Sequence, residues 1–415
     1  MTSLEQSSFS LDEILRNELI EAHFQPIISI KRKSVCGLEG LCRGQSVTEK
    51  KLIPPFALFE RALIEDRVLE LDRLCRKRVL EQFQPIYEKN NTALLFLNFE
   101  ISIIDKGVVG SGNIVNTVRK LGINPKNIVI EIIESKVNDT EALKDFVATY
   151  KDYGFLIALD DFGAGHSNLD RIAHVKPDIL KIDRSIISNI DKEYYKQEIF
   201  KSLVSLSHRV GSLVLAEGTE TEEEIFTCLE LGADLFQGFY FKKPEPVSSH
   251  IFHMLQDKIE YISYQFRNTV LEKINSHKFH KIKLDTIMNH LIAGLLSTPL
   301  DDFDARLKEM IYEYPSIECA YILNEMGIQT TETIFNTSDA PIIEKKLLFH
   351  PAVKGSGHSL KDYYFFILSG LNQYITEPYI SMATGRLCIT VSSLFRNIHY
   401  HEKFILCIDL NPDFI

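Results

Sequence analysis

The chain has 415 residues, of which 45% are hydrophobic and 25% charged, and a formal net charge of −11. That length exceeds one ordinary domain and fits a barrel of about 250 residues followed by a smaller module. The acidic balance excludes general binding to nucleic-acid polymers, which needs a basic face. No apolar run approaches the ~20 residues of a membrane span and no signal-peptide core is present, so the expectation is a cytoplasmic protein with no membrane span. The seven cysteines are scattered, with no CxxC pair; they exclude zinc-ribbon and dithiol motifs and read as reduced core residues.

Residues 1–20 read as a short amphipathic helix with Leu11, Ile14, Leu15 and Leu19 on one face. Two strands, 23–30 and 34–43, flank the basic turn Lys31-Arg32-Lys33. Helices fill 55–84 after Pro54. The pattern then becomes regular. Strands at 92–98, 127–132, 155–159, 179–182, 212–216 and 235–237 are separated by helices at 112–121, 139–152, 167–173, 193–209 and 221–230. Such alternation predicts βα units around a parallel sheet, an α/β fold of the TIM-like (β/α)8 barrel type, ending near residue 246.

Between Val247 and Ala293 there is neither glycine nor proline. Leu255, Ile259, Ile262, Phe266, Val270 and Ile274 recur at helical spacing, so 247–298 is expected to be a long connecting helix, broken near Ser276-His277. Its stripe suits a signalling connector, a dimer contact, or a helix packed on its own protein. From Pro299 the texture changes to a helix at 301–313, a strand at 317–323, strands 374–381 and 386–392 around a turn, and a last strand at 404–410. A helix followed by an antiparallel meander is an α+β module. Gly355 to Ser359 reads as a solvated linker, with a flexible loop covering a pocket as the alternative; His358, Tyr363, Tyr364 and Tyr374 suit a core, or a pocket for an unknown small ligand. The domain expectation is thus 1–246, 247–298 and 299–415.

The chemistry centres on Phe155 to Gly165, FLIALDDFGAG, where an apolar run ends in Asp160 and Asp161. The pair serves either as a helix cap or, since unpaired carboxylates at the end of a covered strand are costly, as part of a metal site. The pattern recurs. Successive apolar runs end in Glu39, Asn98, Glu131 (with Glu134 three on), Lys181 (with Asp183), Glu217 and Gln237. In a (β/α)8 barrel those ends meet on one face. Two like charges 5 Å apart repel by about 3 kcal/mol at an effective dielectric of 20, so gathered carboxylates need cations. All-oxygen donors suit Mg²⁺ or Mn²⁺ and argue against zinc.

These motifs resemble the EAL-domain family of cyclic di-GMP phosphodiesterases. The resemblance rests on Gln25-Pro26-Ile27, Glu39-Gly40-Leu41 with Arg43, Asn98, Glu131-Ile132-Ile133-Glu134, Asp160-Asp161-Phe162-Gly163, Leu180-Lys181-Ile182-Asp183, Ala216-Glu217-Gly218 with Glu220, and Gln237-Gly238. It covers residues 20 to 245. Gly40 replaces the signature alanine, and Ala164 and His166 depart from the usual loop; none removes a ligand. The resemblance implies two-metal hydrolysis of cyclic di-GMP to linear 5'-pGpG, with a water between the ions as nucleophile. It implies one ion on Glu39, Asn98, Glu131 and Asp160, and a second bridged by Asp160 and held by Asp161 and Glu217. Lys181 would orient the water or stabilise charge, Arg43 clamp phosphate, and Gln25 and Gln237 position the substrate. Glu134, Asp183 and Glu220 would support the site and its loop, or act as ordinary caps and surface acids. The C-terminal module resembles a PAS/Cache-like sensor, in an arrangement similar to YkuI-type proteins, and a homodimer is expected. The alternative function is a catalytically silent cyclic di-GMP receptor acting through a partner.

Overall fold

A hairpin starts the first unit. In the computed structural model, β1 (Ile20–Ser29) and β2 (Ser34–Gln45) pair antiparallel across the basic turn, with Gln25 opposite Glu39. The structure describes residues 9–46, 51–100, 112–133, 139–164, 169–246, 251–336 and 350–412. Glu134, Gly165 and His166 lie outside them. The chain divides into two compact units, residues 1–268 and 269–415.

In the first unit α1 (Leu11–Arg16), capped by Ser10, precedes the hairpin, so the expected N-terminal helix stops short of Leu19. Next come β3 (Leu52–Ile53), α2 (Pro55–Ile64) and α3 (Val68–Lys89). Then β4 (Leu94–Phe99), α4 (Asn113–Lys120), β5 (Ile128–Ile133), α5 (Thr140–Asp152), β6 (Leu156–Phe162), α6 (Asp170–Val175) and β7 (Ile179–Ile182) alternate. The one-turn α7 (Arg184–Ile187) leads to α8 (Tyr194–Val210), β8 (Leu213–Ala216), α9 (Glu222–Glu230), β9 (Leu235–Phe236) and β10 (Glu245–Pro246).

β2 and β4 to β9 pair in parallel, in that order, and β1 closes the ring between β9 and β2 in the opposite sense. The result is an eight-stranded barrel with one reversed strand. Branched and aromatic residues on the outer face of the strands pack under the helices, as with Phe24, Leu95, Ile130, Leu159 and Val214. Covering by helices explains why these strands read as continuous apolar runs.

A short α10 (Ile251–Met254) is followed by α11 (Gln256–Leu295), 40 residues without interruption, so the expected break at Ser276-His277 does not occur. Neither residue removes a backbone donor as proline does, so nothing there stops the helix. No helix among the described residues is long and apolar enough to cross a membrane.

The second unit carries α12 (Phe303–Ile311), β11 (Ile317–Asn324), β12 (Ile334–Phe335), α13 (Asp362–Leu368), β13 (Gln373–Ile375), β14 (Tyr379–Ile380), β15 (Leu387–Arg396) and β16 (Lys403–Leu410). They form a six-stranded antiparallel sheet ordered β12-β11-β16-β15-β13, with β14 also on β15. The strand expected at 374–381 is two short pieces. One face of the sheet packs on α12 and on Leu284 to Leu295 of α11; Tyr363, Tyr364 and Ile367 of α13 lie on the other. The segment around His358 is no solvated linker. The His358 ring is buried, stacks on Tyr321, and hydrogen-bonds Tyr363 Oη (2.7 Å) and Gln329 Oε1 (2.9 Å).

On the α13 side, Asp409 is a buried acid. It accepts from Thr390 Oγ1 (2.7 Å) and from the Cys319 thiol (3.5 Å), and no cation pairs with it among the described residues. Burial outweighs those two hydrogen bonds and raises its carboxyl from 3.8 to about 6. A folded-state value above the ordinary one means the fold favours the protonated acid. That contribution is complete below about pH 4 and is lost as pH rises through 6. Asp409→Asn removes the titration, so wild type should lose about 3 kcal/mol relative to the variant between about pH 4 and pH 7. Chemical unfolding of the full chain at the two pH values measures this; equal losses would contradict it.

Candidate metal centre

Two stacked layers fill the barrel. The lower is apolar, made of Ile27, Phe96, Val129, Ala158, Ile179, Leu215 and Leu235. Side chains on a strand repeat their facing every second residue. Two residues beyond each member of that layer therefore stand Asn98, Glu131, Asp160, Lys181, Glu217 and Gln237. Because β1 runs the other way, its contribution lies two residues earlier, at Gln25. In β2 the lower-layer position is Gly37, where an added Cβ would crowd Phe96 and the carbonyl of Leu94, and Glu39 lies two residues on. One alternation thus delivers a ring of polar groups onto a single rim.

Asp160 and Asp161 need one more device, since neighbours in a strand face opposite ways. The strand does not end before them, contrary to expectation: β6 runs through both. Instead the pairing with β7 slips between Leu159 and Phe162, and Asp161 takes φ +55°. This bulge turns the second carboxylate toward the first. Oxygens of Asp160, Asp161 and Glu217 lie within 4.8 Å of one another.

Lys181 occupies the middle and is 1% exposed. Its Nζ is 2.6 Å from Glu131 Oε1, 2.6 Å from Glu217 Oε1, 3.0 Å from Asp160 Oδ1 and 3.9 Å from Glu39 Oε2. Glu39 also accepts from Asn98 Nδ2 (2.9 Å) and Gln237 Nε2 (2.5 Å), and Gln237 Nε2 donates to Gln25 Oε1 (3.0 Å). Gln25 in turn donates to the Lys242 carbonyl (3.1 Å). Burial works against the Lys181 charge, yet the surrounding carboxylates, Asp160 foremost, hold its pKa well above the usual value. Burial would raise Glu39 too, but Lys181 and the donors Gln237 and Asn98 outweigh it and lower the carboxyl. Glu131 and Glu217 go well above the ordinary range, by burial and then by the charges of Glu39 and Asp160 respectively. Burial and neighbouring Asp160 raise Asp161.

The donor set fits divalent cations. Five carboxylates and one ammonium carry four negative charges in excess when all are ionised, the charge that two such ions balance. The buried Gln237 Oε1 and Glu131 Oε2 have no hydrogen-bond partner, and every donor is oxygen. Glu39, Asn98, Glu131 and Asp160 would hold one ion, and Asp160, Asp161 and Glu217 a second.

Arg43 donates to the Cys42 carbonyl (2.8 Å) and makes no ion pair among the described residues, which leaves its guanidinium available to an anion. Asp183 caps α7 through Ser185 N (2.8 Å), and Glu220 pairs with Arg184 (2.6 Å). Both acids are thus bonded to the segments flanking the ring.

A further wall is absent from the sequence reading. A cavity of about 610 Å³ opens beside Glu39 and Asn98, and Asp72 and Arg76 of α3 line it. Asp72 pairs with Arg76 and accepts from Glu100 N (3.2 Å); Arg76 lies 3.8 Å over the Phe99 ring. Burial raises Asp72 to about 6 despite Arg76. The available signal was two opposite charges four residues apart inside the buried stripe Leu71, Leu74, Cys75 and Val79.

Metal ligands must be deprotonated. With Glu131 and Glu217 raised, the metal-free ring keeps protons that an entering ion expels, so Mn²⁺ affinity should rise with pH and binding should release protons. Calorimetry in two buffers of different ionisation enthalpy reads the release directly; identical heats in both would refute it.

The EAL domain family model matches residues 9–244. The EAL-domain-containing protein YkuI of Bacillus subtilis is 24% identical over 392 residues, covering 92% of this chain and 93% of YkuI. The crystal structure of YkuI in complex with c-di-GMP and calcium superposes with a TM-score of 0.80 at 25% identity, over 97% of this chain and 99% of that one. Cyclic di-GMP phosphodiesterase PdeA of Borreliella burgdorferi is 29% identical over 238 residues, 56% of this chain but only 35% of PdeA. A manganese and cyclic di-GMP complex of Klebsiella pneumoniae BlrP1 matches 55% of the chain and 56% of BlrP1, with a TM-score of 0.50 and 26% identity.

Proposed function

Because the chain belongs to the EAL-domain family, we propose that it hydrolyses cyclic di-GMP to linear 5'-pGpG. The observation that carries this is the ring of Glu39, Glu131, Asp160, Asp161 and Glu217 around Lys181 on one rim of the barrel. A silent receptor needs no such set, and every carboxylate of it is in place. Mg²⁺ or Mn²⁺, when bound, would polarise the phosphodiester and provide a nucleophile near neutral pH.

The protein groups do the rest. Lys181, already in a dry pocket, supplies a fixed positive charge to developing oxyanion charge and orients the attacking water. Arg43 suits a bidentate grip on a non-bridging phosphate pair. Gln25 and Gln237, fixed to each other and to the Lys242 carbonyl, present an amide edge to the bound dinucleotide. The apolar cavity beside Glu39 accepts one base, with Asp72 and Arg76 as polar groups for its edge. Glu134 is assigned a role in tethering the 163–167 loop.

The wider reading has residues 1–246 as the catalytic module, 247–298 as connector and 299–415 as a PAS/Cache-like regulatory module for an unknown small ligand. The free cysteines suit the cytoplasm. Exposed Tyr194, Tyr195 and Ile199 of α8 give a homodimer an apolar face; a monomer mass by light scattering at micromolar concentration would exclude it.

Turnover of cyclic di-GMP with Mg²⁺ or Mn²⁺ tests the function. Glu39→Ala and Lys181→Ala should each lower kcat by about 10²–10⁴-fold. Phe366→Ala in the second unit should leave it within about twofold, as for a partly exposed side chain outside the unit that carries the ring. Tight binding of the dinucleotide by wild type without any pGpG would favour the receptor instead.

A further inference from the structure

Gly40 of β2 lies so close beneath α3 that a Cβ there would collide with Val79. This contact sets the register between strand and helix. α3 connects two parallel strands, β2 and β4, and so returns antiparallel to them. Two residues onward in β2, about 7 Å, and four residues back in α3, about 6 Å, therefore reach facing positions. Those positions are Cys42 and Cys75. Cys42 beside it, and then burial, hold the Cys75 thiol well above its ordinary range. Both side chains pack in the same apolar cluster, and both line the 610 Å³ cavity. Cys42 is the more accessible partner, half-buried where Cys75 is buried. It follows Glu39 by three residues and precedes Arg43, while Cys75 lies between Asp72 and Arg76.

We propose that Cys42 and Cys75 form a reversible, hydroperoxide-driven disulfide in the wall of the cavity beside the metal centre. The balance is complete with a hydroperoxide as oxidant. The Cys42 sulfur attacks the peroxide, the O–O bond breaks, and Cys42 becomes a sulfenic acid while water or an alcohol leaves. The Cys75 sulfur then attacks the sulfenic sulfur, its thiol proton leaves with the hydroxyl as water, and the S–S bond forms. Two thiols are oxidised and one peroxide is reduced by two electrons. The bond brings the sulfurs to about 2.05 Å, closer than two unlinked thiols can stand. It draws the strand carrying Glu39 and Arg43 toward the helix carrying Asp72 and Arg76, and so narrows the cavity. The bond itself stands independently of the substrate; only its effect on turnover rests on the phosphodiesterase reading.

The test uses the full chain, reduced and then treated with hydrogen peroxide, digested without reductant and read by mass spectrometry. A linked peptide pair carrying Cys42 and Cys75, lighter by two hydrogen atoms and separated again by dithiothreitol, is the expected result. Cys42 oxidised to sulfinic acid with no linked pair would overturn the proposal. Cys42→Ser and Cys75→Ser should each abolish the linked pair, and Cys42→Ser, at the accessible position, serves if Cys75→Ser fails to fold. In the second readout, oxidation of wild type should lower kcat/KM for cyclic di-GMP by about tenfold or more, as small misplacements in a site do. Dithiothreitol should restore it, and the ratio of oxidised to reduced activity should be one in both variants. A linked pair with unchanged kcat/KM would overturn the narrowing. A linked pair with no turnover in either redox state would overturn the phosphodiesterase reading and leave the disulfide standing.

Discussion

Everything on the rim depends on one ammonium ion out of contact with water. Lys181 is surrounded by Glu39, Glu131, Asp160 and Glu217, and none of these acids could be buried so closely without it. Removing one partner of a buried charge cluster is far costlier than never building it. The single lysine falls short of balancing its neighbours, and burial, then the charges of Glu39 and Asp160, raise the carboxyls of Glu131 and Glu217. The fold therefore holds a site that is poorly satisfied by protein groups alone. That unsatisfied charge is what would draw cations to it.

The barrel makes this arrangement cheap to specify. Each strand needs only an apolar residue and, two positions on, a polar one. Ile179 and Lys181, Val129 and Glu131, Ala158 and Asp160, and Leu215 and Glu217 are four instances of that rule. The apolar layer seals the floor and the polar layer forms the mouth. Gly37 is the exception, because the backbone of β4 and the Phe96 ring already fill the space its side chain would need.

Much of this was legible in the chain because strand periodicity and barrel geometry act together. The ring residues, the hairpin and the alternating elements were all expected at nearly their observed positions. What escaped depended on local geometry or on partners distant in sequence. The bulge at Asp161 is written in a register slip that no spacing reveals. Helix α13, Asp-Tyr-Tyr-Phe-Phe-Ile-Leu, has no polar face, and its aromatic run carries strand propensity instead of a helical stripe. Its helical form follows from packing on β15 and β16. Asp72 and Arg76 were hidden for a similar reason: a helix pattern shows which face is buried, not which cavity that face borders.

The reversed strand also governs how the barrel is entered and left. β10, the last strand of the first unit, pairs with β1 through His23 and Phe24, immediately before Gln25. The exit of the chain thus shares a single ribbon of backbone with the glutamine that braces Gln237 and, through it, Glu39. A pull or twist applied downstream would arrive at the ring along one covalent strand and two amide contacts. For a ring whose side chains stand within a few ångströms of one another, that is a mechanical lever seated at its edge.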